Sequence, residues 1–205
     1  MLHIKRFQAD PAGDAVLMAM FAARKSVFVD LLKWDVPVFA GAYEIDQFDD
    51  VHTTYLVLTA DDNRHLGSAR LLRTDRPHIL DSFYADLCTD TVPRGPDIYE
   101  ITRFCLDRRL RALERRAVRN TLVIALVDHA LREGVSRYTA LADIGWARQI
   151  LDFGWAATLL GNPRDYDGQT LAALNIAIRR DTRQRLAAAG IVAAASICGS
   201  LAIAA

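Results

Sequence analysis

The stretch DIYEITRFCLDRRLRALERRAVRNTLVIALVDHALREGVSRYTALA, residues 97–142, decides the fold. Asp97–Phe104 reads as a strand. Leu110–Glu133 reads as a long helix and stops at Gly134, which enters the left-handed conformation that ends a helix without steric cost. Tyr138–Ala142 reads as a strand again. Upstream, Leu2–Phe7, Thr53–Thr59 and His65–Arg73 read as strands, the last two joined by the turn Asp61-Asp62-Asn63. A helix is expected from Asp14, a suitable N-cap, to Leu32. Downstream, Trp146–Phe153 reads as a short helix, Trp155–Leu160 and Leu171–Ile178 as strands, and a last helix starts at Asp181. A meander followed by alternating strands and helices indicates an α/β layer fold with a mixed sheet.

The chain has 205 residues, which suits one domain, expected over residues 1–185. Apolar residues make up 52% and charged residues 24%, which excludes a disordered chain. Basic and acidic side chains number 25 each, so the basic excess of a phosphate-gripping nucleic-acid binder is absent. Cys88, Cys105 and Cys198 have no metal-ligand spacing and read as free thiols of a reducing compartment. The histidines are scattered, so no metal site is expected. No basic segment followed by an apolar core opens the chain, and a cytoplasmic location is expected. Leu186–Ala205 is uncharged but dominated by alanine, with Gly190, Ser196, Gly199 and Ser200. It reads as a packed C-terminal helix or tail rather than a membrane span.

Several residues break these patterns. Leu17, Phe21 and Phe28 share one face of the first helix, and Arg24 falls on that same stripe. Either its stem packs while the charge reaches the rim, or its guanidinium is held for an anionic partner. The following loop interleaves Trp34, Phe39, Tyr43 and Phe48 with Asp35, Glu44, Asp46, Asp49 and Asp50. Such a loop suits a cation carrying a flat ring, through carboxylate attraction and aromatic faces. It also suits a solvated surface loop. Arg70 sits mid-strand where a core residue is expected, and Glu100 does the same on Ile98-Tyr99-Glu100-Ile101-Thr102. A carboxylate there must be paired or hold a raised pKa, which fits a general base or anchor. A purely structural Arg70–Glu100 ion pair is the competing reading. Arg103 falls on the opposite face from Glu100 unless a bulge turns it.

Taken together, Arg24, Phe28, Trp34, Glu44, Asp46 and Asp49, then Arg70, Phe83, Glu100 and Arg103, stand at a spacing that resembles the acyl-homoserine lactone synthases, the LuxI-type autoinducer synthases. The phrases VFVDLLKWDVP, EIDQFDD, GSARLLRTDRPHIL and DIYEITRF agree. The resemblance is strong over residues 1–108, looser to about 180, and absent from the last 20. It implies a GNAT-like three-layer α-β-α sandwich around a mixed, splayed sheet. It also implies a reaction. S-adenosyl-L-methionine supplies the homoserine moiety, an acyl thioester acylates its amine, and lactonisation expels methylthioadenosine. Both are substrates, so no cofactor is expected.

On that resemblance Asp46 and Asp49, with Glu44, favour the sulfonium. Trp34 and Phe28 wall the site, Phe83 closes it, and Arg24 and Arg70 hold the methionine carboxylate or order the acidic loop. Glu100 is the candidate base, acting through a water, and Arg103 either orients the site or forms ion pairs with the acidic residues. The acyl tail is expected near Leu141, Ala142, Ile144, Trp146 and Ile150. Arg108, Arg109, Arg111, Arg115, Arg116 and Arg119 form a basic cluster that either docks acyl carrier protein, meets the phosphates of coenzyme A, or is a solvated helix face. Carrier protein is the favoured donor. The segment Asp143-x2-Trp146 also looks like relatives that use acyl-coenzyme A. A GNAT N-acetyltransferase is the nearest rival, but Leu106–Arg116 lacks the glycines of its pyrophosphate loop. A non-catalytic binder of adenosylmethionine or an acyl carrier is the other.

Overall fold

The computed structural model describes residues 1–7 and 11–194. Most of the Ala-rich C-terminal segment, residues 195–205, lies outside them. The chain divides into two compact units, one built from Met1–Arg70 and Arg103–Val123, the other from Leu71–Thr102 and Ile124–Val192.

In the first unit β1 (Leu2–Arg6) pairs antiparallel with β4 (Thr54–Thr59), which turns back into β5 (His65–Arg73). Next to β5 runs β6 (Ile98–Leu106), tied to it here by the Asp107 N–H donating to the Leu66 carbonyl at 2.9 Å. Helix α1 (Ala15–Arg24) starts at Asp14, whose carboxylate accepts from the Val16 and Leu17 N–H groups. Its apolar stripe then lands on β4: Val16, Leu17, Met20 and Phe21 pack with Tyr55 and Val57. Helix α3 (Ala112–Glu133) begins in this unit. It comes so close to β5 that a Cβ on Gly67 would lie 2.8 Å from Val118.

The helix expected to run unbroken to Leu32 instead changes pitch. Lys25–Leu31 is a π-helix, with Leu32 N–H donating to the Val27 carbonyl at 2.9 Å, one residue beyond the α-helical partner. The expected loop after it contains a small hairpin, β2 (Val38–Phe39) with β3 (Tyr43–Glu44).

In the second unit the Thr74 N–H donates to the Ile98 carbonyl, and β6 pairs in parallel with β7 (Arg137–Asp143). That register covers only Ile98–Ile101 against Arg137–Ala140, although both strands run on, so the pair parts as a splayed sheet does. β7 continues antiparallel to β10 (Gln169–Ala177), which also pairs β8 (Ala156–Leu159) and β9 (Arg164–Tyr166). The long connection before β6 holds a short helix, α2 (Ile79–Phe83). Leu80 and Leu87 from this segment pack on Ala173, with Leu141 and Leu171 alongside. The opposite face of β7 meets α3, where the Tyr138 hydroxyl donates to the Leu126 carbonyl at 3.0 Å. Helix α4 (Ile144–Leu151) follows, capped by Asp143, and α5 (Thr182–Ala188) ends the described elements. The fold is thus mixed α/β, and in the second unit helices lie on both faces of the strands. Among the described residues no helix is long and apolar enough to cross a membrane.

Candidate active site

The acids and arginines of the first unit form one buried network. Arg24 is 1% exposed, so the interior reading of its stripe position holds. Its Nη1 and Nη2 donate to the two Asp49 oxygens, each at 2.9 Å, and its Nε to Glu44 Oε2. Arg70 donates to both Asp46 oxygens, at 2.6 and 3.0 Å, and lies 2.9 Å from Asp49 Oδ1. Arg103 donates to Glu44 Oε1 at 2.9 Å and to Asp46 Oδ2 at 2.7 Å. The Tyr55 hydroxyl adds a bond to Asp49 at 2.7 Å, and the Asp46 N–H donates to Asp49 Oδ2.

Burial and charge oppose each other throughout this network. Burial alone would depress the Arg24 pKa, but Asp49 and Glu44 outweigh it and raise it. Burial pulls the Asp49 carboxyl up, and Arg24 and Arg70 hold it well below the usual carboxylate range. Burial and the neighbouring Asp49 charge both push the Tyr55 phenol up, so it stays a donor. Three guanidiniums meet three carboxylates, and within this set the formal charges cancel. Every oxygen of the Asp46 and Asp49 carboxylates already accepts from a protein group, and together they hold Arg24, Arg70 and Arg103 in one frame.

Arg103 is the strained member. Its φ is 49°, a left-handed conformation that a side chain with a Cβ adopts at a cost of about 1–2 kcal/mol. This breaks the period-two alternation of β6 and delivers the guanidinium to Glu44 and Asp46. The same group lies 5.6 Å from the Phe28 ring centre and 5.8 Å from that of Trp34. Those two rings stack at 4.8 Å, 17° from parallel. The π-helix supplies the stack locally: Trp34 N–H donates to the Phe28 carbonyl at 2.9 Å, and Lys33 between them takes φ 59°. Trp34 keeps 36% of its surface exposed, so the stack is not sealed inside the fold.

In the second unit Glu100 is fully buried on β6, and its Oε1 accepts from the Leu80 N–H in the first turn of α2 at 3.1 Å. Phe83, at the other end of α2, is 57% exposed and meets Tyr84 edge-on. The acyl-tail candidates divide. Leu141 shares the Glu100 face of the sheet, because Glu100 registers with Thr139 and side chains alternate along β7. Ala142 lies on the opposite face with Tyr138. Ile144 and Trp146 are half-buried on α4, where Trp146 packs against Phe153 at 5.7 Å. Ile150 is buried and its carbonyl accepts from the Trp155 indole N–H.

The basic cluster is mostly open. Arg108, Arg109, Arg111, Arg115 and Arg116 are exposed, and Leu113 among them is 83% exposed. Arg119 is half-buried and donates to Asn120 Oδ1. A groove of about 390 Å³ adjoins Arg108 and Arg109, floored by Ala19, Ala22 and Ser26 of the first helix. Cys105 is buried, and burial pushes its thiol up to about 12, which leaves it inert as a nucleophile.

Tyr55 and the Leu80 amide are site groups that sequence reasoning missed. An aromatic residue in an apolar strand looks like core, and a backbone donor carries no sequence signal.

The autoinducer synthase family model matches residues 12–186 of the chain. An acyl-homoserine-lactone synthase of Ralstonia nicotianae is 31% identical over 193 residues, covering 91% of this chain and 92% of the relative. The solved structure of BjaI, a CoA-dependent acyl-homoserine lactone synthase with SAM and isopentyl-CoA, superposes with a TM-score of 0.81 at 25% identity, over 92% of this chain and 87% of that one. An acyl-CoA N-acyltransferase from Pseudomonas aeruginosa, at 18% identity and TM-score 0.58, shares the fold alone, over 85% of this chain and 98% of that one. The resemblance carried by the acids, arginines and rings of residues 24–103 is therefore one of descent: the chain belongs to the autoinducer synthase family and is an acyltransferase of the acyl-homoserine-lactone synthase type.

Proposed function

We propose that this chain makes an N-acyl-L-homoserine lactone from S-adenosyl-L-methionine and an acyl thioester, releasing methylthioadenosine. The observation that carries this reading is the stacked Phe28–Trp34 pair, clamped beside Arg103 by the buried acid–arginine network. A stacked pair not sealed inside the fold suits both a planar adenine and a sulfonium, which aromatic faces attract by roughly 0.5–2 kcal/mol. Because the network is neutral as a set, ring faces and hydrogen bonds, rather than a net negative field, select this substrate.

Glu100, acting through a water, takes a proton from the substrate ammonium. The freed amine attacks the thioester carbonyl, the C–S bond breaks, and the leaving thiolate takes up one of the two remaining amine protons, the other staying as the amide N–H. The substrate carboxylate then attacks its own γ-carbon and expels methylthioadenosine, closing the lactone. Arg103 and Arg70, fixed by Asp46 and Glu44, orient that carboxylate. Mass spectrometry of organic extracts from cells expressing the chain tests the whole reading. A homoserine lactone absent from control cells supports it, and an extract without one removes it.

For the donor we infer acyl carrier protein. An exposed Leu113, with exposed Arg111, Arg115 and Arg116 near it in sequence, fits an acidic protein surface with an apolar spot better than a small thioester. Acyl-coenzyme A is the second reading, favoured by the likeness to a CoA-dependent synthase. Reversing both charges, Arg115→Glu with Arg116→Glu, should raise KM for an acyl-carrier donor roughly tenfold at low salt and by less as salt screens the patch. An unchanged KM, with acyl-coenzyme A the better donor, would favour the second reading.

A further inference from the structure

Four polar side chains stand in one row across the second unit. Glu100 on β6 registers with Thr139 on β7, Thr139 with Asn175 on β10, and Asn175 with Thr158 on β8. Residues opposite one another in register project from the same face of a sheet. Burial falls along the row. Glu100 and Thr139 are fully enclosed, Asn175 is half-buried and Thr158 is exposed. Next along that face, Leu141, Leu171 and Ala173 lie beneath Leu80 and Leu87.

Two atoms of the row make no sense as packing. Thr139 Oγ1 and Asn175 Oδ1 are buried and, among the described residues, have no hydrogen-bond partner. An orphan polar atom costs stability that valine or leucine in the same place would not, and such atoms are otherwise satisfied by ordered water or a ligand. The graded exposure says which way such water would lead: from an enclosed carboxylate to solvent.

We propose that Thr139, Asn175 and Thr158 form the proton exit of Glu100. This rests on the reading of Glu100 as the base. An enclosed base that accepts a proton in each turnover has to discharge it before the next. Water held on Thr139 Oγ1 and Asn175 Oδ1 takes the proton from the Glu100 carboxyl and passes it to the next water in the row. The proton leaves as hydronium at Thr158, and Glu100 returns to its carboxylate. Thr139 and Asn175 are positioning residues: they hold the carrier water and do not touch the reacting atoms.

Thr139→Val, Thr139→Ser, Asn175→Leu and Glu100→Gln, assayed side by side for kcat, KM and solvent isotope effect, test this. Thr139→Val should lower kcat roughly tenfold, a part of the 10²–10⁴ that a general base contributes, and enlarge the solvent isotope effect. Its KM for S-adenosyl-L-methionine should stay the same, and its melting temperature should hold or rise. Asn175→Leu should act in the same direction, and Thr139→Ser should restore most of kcat. A structural role would lower the melting temperature and leave the isotope effect alone. Wild-type kcat and isotope effect in both Thr139→Val and Asn175→Leu, with Glu100→Gln inactive, would overturn the exit and spare the base. An active Glu100→Gln would remove the base itself.

Discussion

Glu100→Gln should lower kcat by roughly 10²–10⁴, the usual worth of a positioned general base, with little change in S-adenosyl-L-methionine affinity. The glutamine keeps an oxygen where Glu100 Oε1 accepts the Leu80 N–H, so the start of α2 stays anchored and the fold is preserved. What disappears is the capacity to take a proton. Glu100→Ala would confuse the two effects by orphaning the Leu80 donor. Steady-state kinetics with direct measurement of adenosylmethionine binding separates them. Turnover at the wild-type rate in the glutamine variant would remove Glu100 from the chemistry.

The second large effect is on stability. Arg24→Met leaves Asp49 and Glu44 buried without the guanidinium that joins them. Breaking a buried ion pair from one side costs roughly 3–5 kcal/mol. For a chain of this size that is a fall of roughly 6–20 °C in melting temperature. Arg24→Lys keeps the charge but loses the two-pronged bond to Asp49, and should recover only part of it. The network also sets an acid limit. Asp49 titrates lower in the folded chain than the ordinary carboxylate value of about 3.9. Its contribution is therefore complete above that value and is lost as pH falls from there through the folded pKa. In Arg24→Met, acid unfolding should begin at higher pH. Calorimetry from about two units below to about three units above that ordinary value checks both effects. An unchanged melting temperature would mean the network is not load-sharing.

Much of this was readable from residue type and spacing. Arg24 on an apolar stripe, Arg70 and Glu100 at core positions of strands, and an acid-rich aromatic loop all announced buried charge with partners nearby. Their spacing also matched a family, and the family model agrees. What escaped was set by backbone rather than by side chains. Arg103 was ambiguous because its reach depends on a left-handed φ that arginine does not signal. The Lys25–Leu31 segment has ordinary helical residues, so its change of pitch left no trace in periodicity. The pairing of Arg24 with Asp49 and Arg70 with Asp46 spans more than twenty residues in each case, and charge pattern alone could not choose among the acids. The division between Leu141 and Ala142, by contrast, was legible: adjacent residues of one strand cannot line the same wall.

The wide turn at Lys25–Leu31 makes chain length, as much as residue identity, a determinant of what lies beyond it. Removing one amino acid there would let the backbone rewind at ordinary pitch with later side chains still nearly in phase, whereas rewinding it with the length unchanged would swing every later side chain by about 100°. The indole and its neighbouring phenyl would be re-phased away from the guanidinium that now sits over them, although no contact-making residue had been altered.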